Sequence, residues 1–139
     1  MSEYNKPLPK VNSDNREFWT ACREHLLKFQ KCSRCDHIRW PPARICPKCH
    51  SSETEWIIAS GHGKVYTFVV YHVAYLPEFE KDIPYVGAVI ELTEGPHLLT
   101  NVVGCAPGKV FCGMPVEVTW EDTTEEFSLP KFKPVKDSF

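Results

Sequence analysis

Residues 32–49, CSRCDHIRWPPARICPKC, set two Cys-x-x-Cys pairs, Cys32/Cys35 and Cys46/Cys49, ten residues apart. A Cys-x-x-Cys turn brings two sulfurs close enough to share one ion, and two such turns complete a tetrahedron of thiolates about 2.3 Å from zinc. The spacer is shorter than the roughly 15 to 20 residues common in four-cysteine modules, a length that suits a hairpin carrying both turns to one end. Structural zinc on Cys32, Cys35, Cys46 and Cys49 is the reading this spacing supports. A redox dithiol or an iron centre shares the same residues, but all four positions are filled and no helix pattern follows either pair to lower a thiol pKa. An ion with four protein sulfurs keeps no open position for water or a carbonyl, so such a metal braces the chain and does no chemistry. Residues 31–52 also lack hydrophobic periodicity, and metal binding must stand in for the missing core.

Upstream, residues 1–12 read as an irregular arm. SDNREFWTACREHLLKF, residues 13–29, reads as a helix: Asp14 and Glu17 resemble a capping pair, and Phe18, Trp19, Cys22, Leu26 and Phe29 form an apolar stripe. Downstream the period changes to two. EWIIA, KVYTFVVYHV, YVGAVIEL, HLLTNVVG, MPVEVTWE and, more weakly, EFSLPKFKPV are separated by Gly- and Pro-containing turns, as in a small antiparallel barrel. The expected division is 1–30 for arm and helix, 31–54 for the metal ribbon and 55–139 for the barrel with its tail.

The 139 residues are 42% hydrophobic and 24% charged, which fits a compact chain rather than a disordered one. MSEYNKPLPK has no apolar leader, and no run approaches the roughly 20 residues that cross a bilayer. Seven cysteines are an odd count for a disulfide framework, and a reduced, cytoplasmic protein is expected. The net charge of −2 conceals an asymmetry. Seven Lys/Arg face two acids between Arg23 and Lys48, whereas twelve acids face three lysines between Glu53 and Phe127. Part of the basic excess balances a zinc–thiolate cluster of charge −2.

Cys22, Cys105 and Cys112 read as inert thiols. His37 and His50 adjoin the cysteine pairs, where four thiolates already suffice. His25, His62, His72 and His97 show no partner at a spacing that announces a triad. Tyr66, Phe68, Tyr71, Tyr75 and Phe79 read as packing or interface residues, because a base-stacking groove needs positive charge and their neighbours are acidic. Gly61-His-Gly63 is a turn and too short for a phosphate loop. No self-sufficient active site emerges.

The Phe18-Trp19 helix, CSRCDHIRWPPARICPKC, GHGKVYTF, PYVGAVIEL, EGPHLLTNVVG and GMPVEVTWE together resemble the DUF35 family over about residues 15–135. That resemblance implies a mainly β protein: an N-terminal helix, a rubredoxin-like zinc ribbon and a C-terminal OB-fold barrel. The family's zinc ligands fall on Cys32, Cys35, Cys46 and Cys49. Its members look like accessory subunits of acyl-CoA enzymes, accompanying thiolases, thiolase-like acyltransferases and, in some systems, hydratase-like or aldolase partners. It offers no agreed catalytic residue. The expectation is therefore a non-catalytic subunit of a thiolase-like complex that helps form the complex and the CoA-substrate passage, with Arg34, Arg39, Arg44 and Lys48 near the coenzyme A phosphates. The alternative is a nucleic-acid-binding zinc-ribbon/OB-fold module.

Overall fold

The computed structural model describes residues 10–73, 77–79, 81–124 and 127–135. The helix is shorter than its periodicity predicts: α1 spans Arg16–Arg23. Beyond it His25 takes φ 61°, its N–H bonding Cys22 O at 2.9 Å, and the chain runs extended as β1 (Lys28–Cys32). Tertiary pairing overrides the helical stripe here, because β1 gains hydrogen-bonded partners on both edges. Leu27 and Phe29 are buried all the same, through the alternation of a strand. The Asp14–Glu17 cap does not form. Asn12 instead accepts the N–H groups of Asp14 and Asn15 on its Oδ1, both at 2.9 Å, in an Asx turn that leads into the helix.

β2 (Ile38–Arg39), β1 and β3 (Thr54–Ile58) form an antiparallel sheet in the order β2-β1-β3. The strand expected within EWIIA is thus present but lies outside the barrel: Ile57 pairs with Phe29 and Trp56 with Gln30. Phe18 of α1 and Phe29 of β1 both meet the Trp40 ring, at 4.4 and 5.9 Å, so helix and ribbon share one aromatic joint.

β4 (His62–Tyr71), β5 (Tyr85–Leu92), β6 (His97–Val102), β7 (Pro115–Asp122) and β8 (Ser128–Pro134) close a barrel in the order β4-β5-β6-β8-β7. The barrel departs from the expected all-antiparallel pattern at its seam, where β6 and β8 pair in parallel through Val102 and Phe132. β5 alternates strictly, with Val86, Ala88, Ile90 and Leu92 buried. They pack with Val65, Leu98, Val116 and Phe132, in a cluster that also takes in Phe18, Leu27 and Phe29. Burying each of the larger side chains contributes about 1.5–3 kcal/mol. Ribbon and barrel therefore share one core, and the Ala59 N–H, donating to Leu27 O at 2.7 Å, extends the β1–β3 pairing by one more rung.

Candidate metal centre and its surroundings

The two cysteine turns are built alike. In each, the residue after the second cysteine, Asp36 or His50, adopts a left-handed φ of 64° or 65°. Its N–H returns to the carbonyl of the first cysteine, Cys32 or Cys46, at 2.9 Å. The turns are held at their bases by Cys32 N–H to His37 O at 2.8 Å and Cys46 N–H to Ser51 O at 2.9 Å. This places all four sulfurs within 4.8 Å of one another. Cys32 Sγ is 3.5 Å from Cys49 Sγ and Cys35 Sγ is 3.6 Å from Cys46 Sγ. A tetrahedral zinc with 2.3 Å bonds needs sulfurs about 3.8 Å apart, so the four cysteines fit that ion.

The electrostatics point the same way. Backbone N–H donation from Cys35 pulls the Cys32 thiol below its ordinary pKa. Burial raises the Cys46 thiol, but the N–H groups of Cys49 and Lys48 outweigh it and bring it down to about 6. For Cys35, donation from His37 is overcome by burial and the neighbouring sulfurs, which push its thiol up to about 12. Each turn thus holds one thiol, Cys32 or Cys46, shifted toward the thiolate that ligates a metal.

The four expected phosphate-facing cations separate. Arg34, Arg44 and Lys48 are exposed, whereas Arg39 is 4% exposed, with Nη2 donating to Ala43 O and Thr54 Oγ1, both at 2.8 Å. Arg44 lines a cleft of about 720 Å³ with Arg16, Glu17, Ile45 and Trp56. Of the other singled-out residues, Cys22 is buried, its thiol pushed up to about 12 by burial. Tyr66 leans on His97 at 4.5 Å, Tyr71 stacks on Tyr85 at 4.9 Å and Phe68 packs against the core. Tyr75 and the Phe79 side chain lie outside the described residues. Lys64, beside this aromatic face, is 3.5 Å from Glu91.

Sequence reading missed two features. An apolar groove of about 550 Å³ runs between Ile38, Trp40, Ile45 and Pro47 of the ribbon and Pro96 and His97 of the barrel. Only the Pro41-Pro42 break hinted at it, since the meeting of ribbon and β5–β6 turn is a long-range event. The second is the pairing of His25 with Asp122, 97 positions apart.

A four-cysteine ribbon joined to a closed barrel of this strand order defines the class, a zinc-ribbon/OB-fold protein. Residues 19–55 match the family described as "ChsH2, rubredoxin-like zinc ribbon domain", and residues 56–121 match "ChsH2, C-terminal OB-fold domain". A "DUF35 domain-containing scaffold protein" of Methanocaldococcus jannaschii is 41% identical over 85% of this chain and 89% of its own length. The chain belongs to the DUF35 family. The "Probable enoyl-CoA hydratase alpha subunit" of Thermomonospora curvata is 42% identical over 93% of this chain, which spans 40% of that protein. The "Benzoylsuccinyl-CoA thiolase subunit BbsA" of Thauera aromatica is 30% identical over 70% of this chain and 65% of its own length. Among solved structures, a chain of the "Ltp2-ChsH2(DUF35) aldolase" superposes with a TM-score of 0.84 at 42% identity, covering 91% of this chain and 98% of that one. Among the described residues no helix is long and apolar enough to cross a membrane.

Proposed function

We propose that this chain is a non-catalytic accessory subunit of a cytoplasmic, thiolase-like acyl-CoA enzyme complex, with a structural zinc on Cys32, Cys35, Cys46 and Cys49. The observation that carries the reading is the closed four-sulfur cluster, which would hold an ion without leaving it a coordination position to act through. The relatives support it: they are named as subunits of CoA hydratase and thiolase enzymes or as a scaffold protein. In this role the ribbon and α1 meet the partner, whose own residues supply the nucleophile and the acid/base groups. Arg34, Arg44 and Lys48, exposed around the ribbon, face the coenzyme A phosphates, whereas Arg39 is sealed within the ribbon and does not reach them.

Affinity purification of the tagged full chain from its native cell, followed by identification of partners, tests the reading. A thiolase-like or other acyl-CoA enzyme at fixed stoichiometry is the expected outcome. Recovery of the chain without one, or tight oligonucleotide binding with a steep salt dependence, would overturn it in favour of a nucleic-acid module.

A further inference from the structure

Arg39 carries a charge that nothing else in its surroundings explains. It is 4% exposed, and Nη2 meets only two neutral acceptors, Ala43 O and Thr54 Oγ1. Nε and Nη1 are buried without any hydrogen-bond partner. None of the ion pairs among the described residues joins Arg39 to a carboxylate. A buried cation without an anion is strongly disfavoured, so the missing negative charge must come from somewhere close.

The strand register identifies a source. Arg39 lies opposite Gln30, and Cys32, two residues along β1 from Gln30, lies opposite Thr54. Opposed residues, and residues two apart on one strand, share a sheet face. Arg39, Gln30, Cys32 and Thr54 therefore share one face, and the guanidinium crosses it to bond Thr54, the residue paired with Cys32. Four thiolates around a divalent zinc leave a net charge of −2 in this half-buried setting.

We propose that Arg39 is the internal counter-charge of the metal–thiolate cluster and sets its zinc affinity from within the ribbon. Its charge acts through the poorly screened interior, whereas Arg34, Arg44 and Lys48 act through solvent that weakens them. The proposal rests on the zinc reading of the cysteines and adds a residue that touches no metal.

The test is zinc affinity of the full chain, measured by competition with a chromophoric chelator, for the parent, Arg39→Lys, Arg39→Met and Thr54→Val. The parent is expected to bind one zinc. Arg39→Met should bind it roughly tenfold or more weakly, as loss of a nearby poorly screened charge implies. Arg39→Lys and Thr54→Val, which keep the charge, should stay within about threefold of the parent, since neutral hydrogen bonds contribute less. Cys49→His lowers the cluster charge from −2 to −1, and in that background the Arg39→Met penalty should shrink. Where Arg39→Met does not fold with zinc, Arg39→Gln serves the same comparisons. A parent that takes up no zinc overturns the metal reading itself. A parent that binds zinc, with neutral variants equal to it, with lysine as weak as methionine, or with a penalty unchanged by Cys49→His, overturns the role of Arg39 alone.

Discussion

His25 Nε2 lies 2.8 Å from Asp122 Oδ1, and the His25 ring lies parallel to Trp120 at 5.3 Å with only 2° between the planes. The turn after α1 is thereby fastened to the end of β7. The hydrogen bond from His25 holds the Asp122 carboxyl below its ordinary pKa. A carboxylate depressed in the folded state stabilises at pH values above its unfolded pKa, and that stability is lost as pH falls through the folded one. Asp122→Asn should therefore lower Tm slightly at neutral pH, with the two Tm curves converging as pH falls through the depressed pKa of the folded carboxyl. Thermal melts followed by circular dichroism between about pH 2 and 7 check this; curves that stay parallel would show that the pair carries no pH-dependent stability.

Thiol accessibility predicts an order of modification. Cys112 is exposed, Cys105 half-buried and Cys22 buried with its thiol near 12. With zinc bound, iodoacetamide at about pH 8 should alkylate Cys112 first, then Cys105, and Cys22 only on unfolding, because the thiolate is the nucleophile. Peptide mass mapping over time reads this order, and early labelling of Cys22 would contradict its placement.

Two barrel glycines should respond differently to alanine. A Cβ on Gly63 would lie 2.5 Å from the backbone oxygen of Glu91, and only the paired strand could yield. Gly63→Ala should cost about 1–3 kcal/mol in chemical denaturation, the usual range for overpacking. At Gly87 the nearest atom is the edge of the Tyr71 ring at 2.9 Å, so a side chain can swing aside. Gly87→Ala should cost less and weaken the Tyr71–Tyr85 stack; equal costs would sink the distinction.

Removing the metal should separate the two halves of the molecule. Structural zinc contributes on the order of 10 kcal/mol or more in small modules, and β2 is two residues long. Chelation, or Cys46→Ser, should raise amide hydrogen exchange across β1–β3 while leaving β5 protected by its buried alternation. Unchanged exchange in β1 after metal loss would show that the shared core alone holds the ribbon.

The cysteine cluster was legible because a Cys-x-x-Cys turn is a local event whose geometry follows from spacing, and the barrel because β5 alternates so regularly and Gly- and Pro-containing turns separate its neighbours. The end of α1 was not. Leu26 and Phe29 continue the helical stripe, and only partners arriving from Ile38 and Ile57 turn that stretch into β1. Glu55–Ala59 has the residues of a barrel strand but is claimed by β1, a choice made by chain connectivity rather than composition. Arg39 reads on paper like its neighbours Arg34 and Arg44, and only the fold distinguishes a charge sealed in the ribbon from two facing water.

The alternation within the two cysteine turns sets an order of events. Cys32 and Cys46, the first of each pair, are fully enclosed, while Cys35 and Cys49, the second, open to solvent. A competing ligand would therefore meet Cys35 and Cys49 first, and exchange of a bound ion would begin at these outer sulfurs.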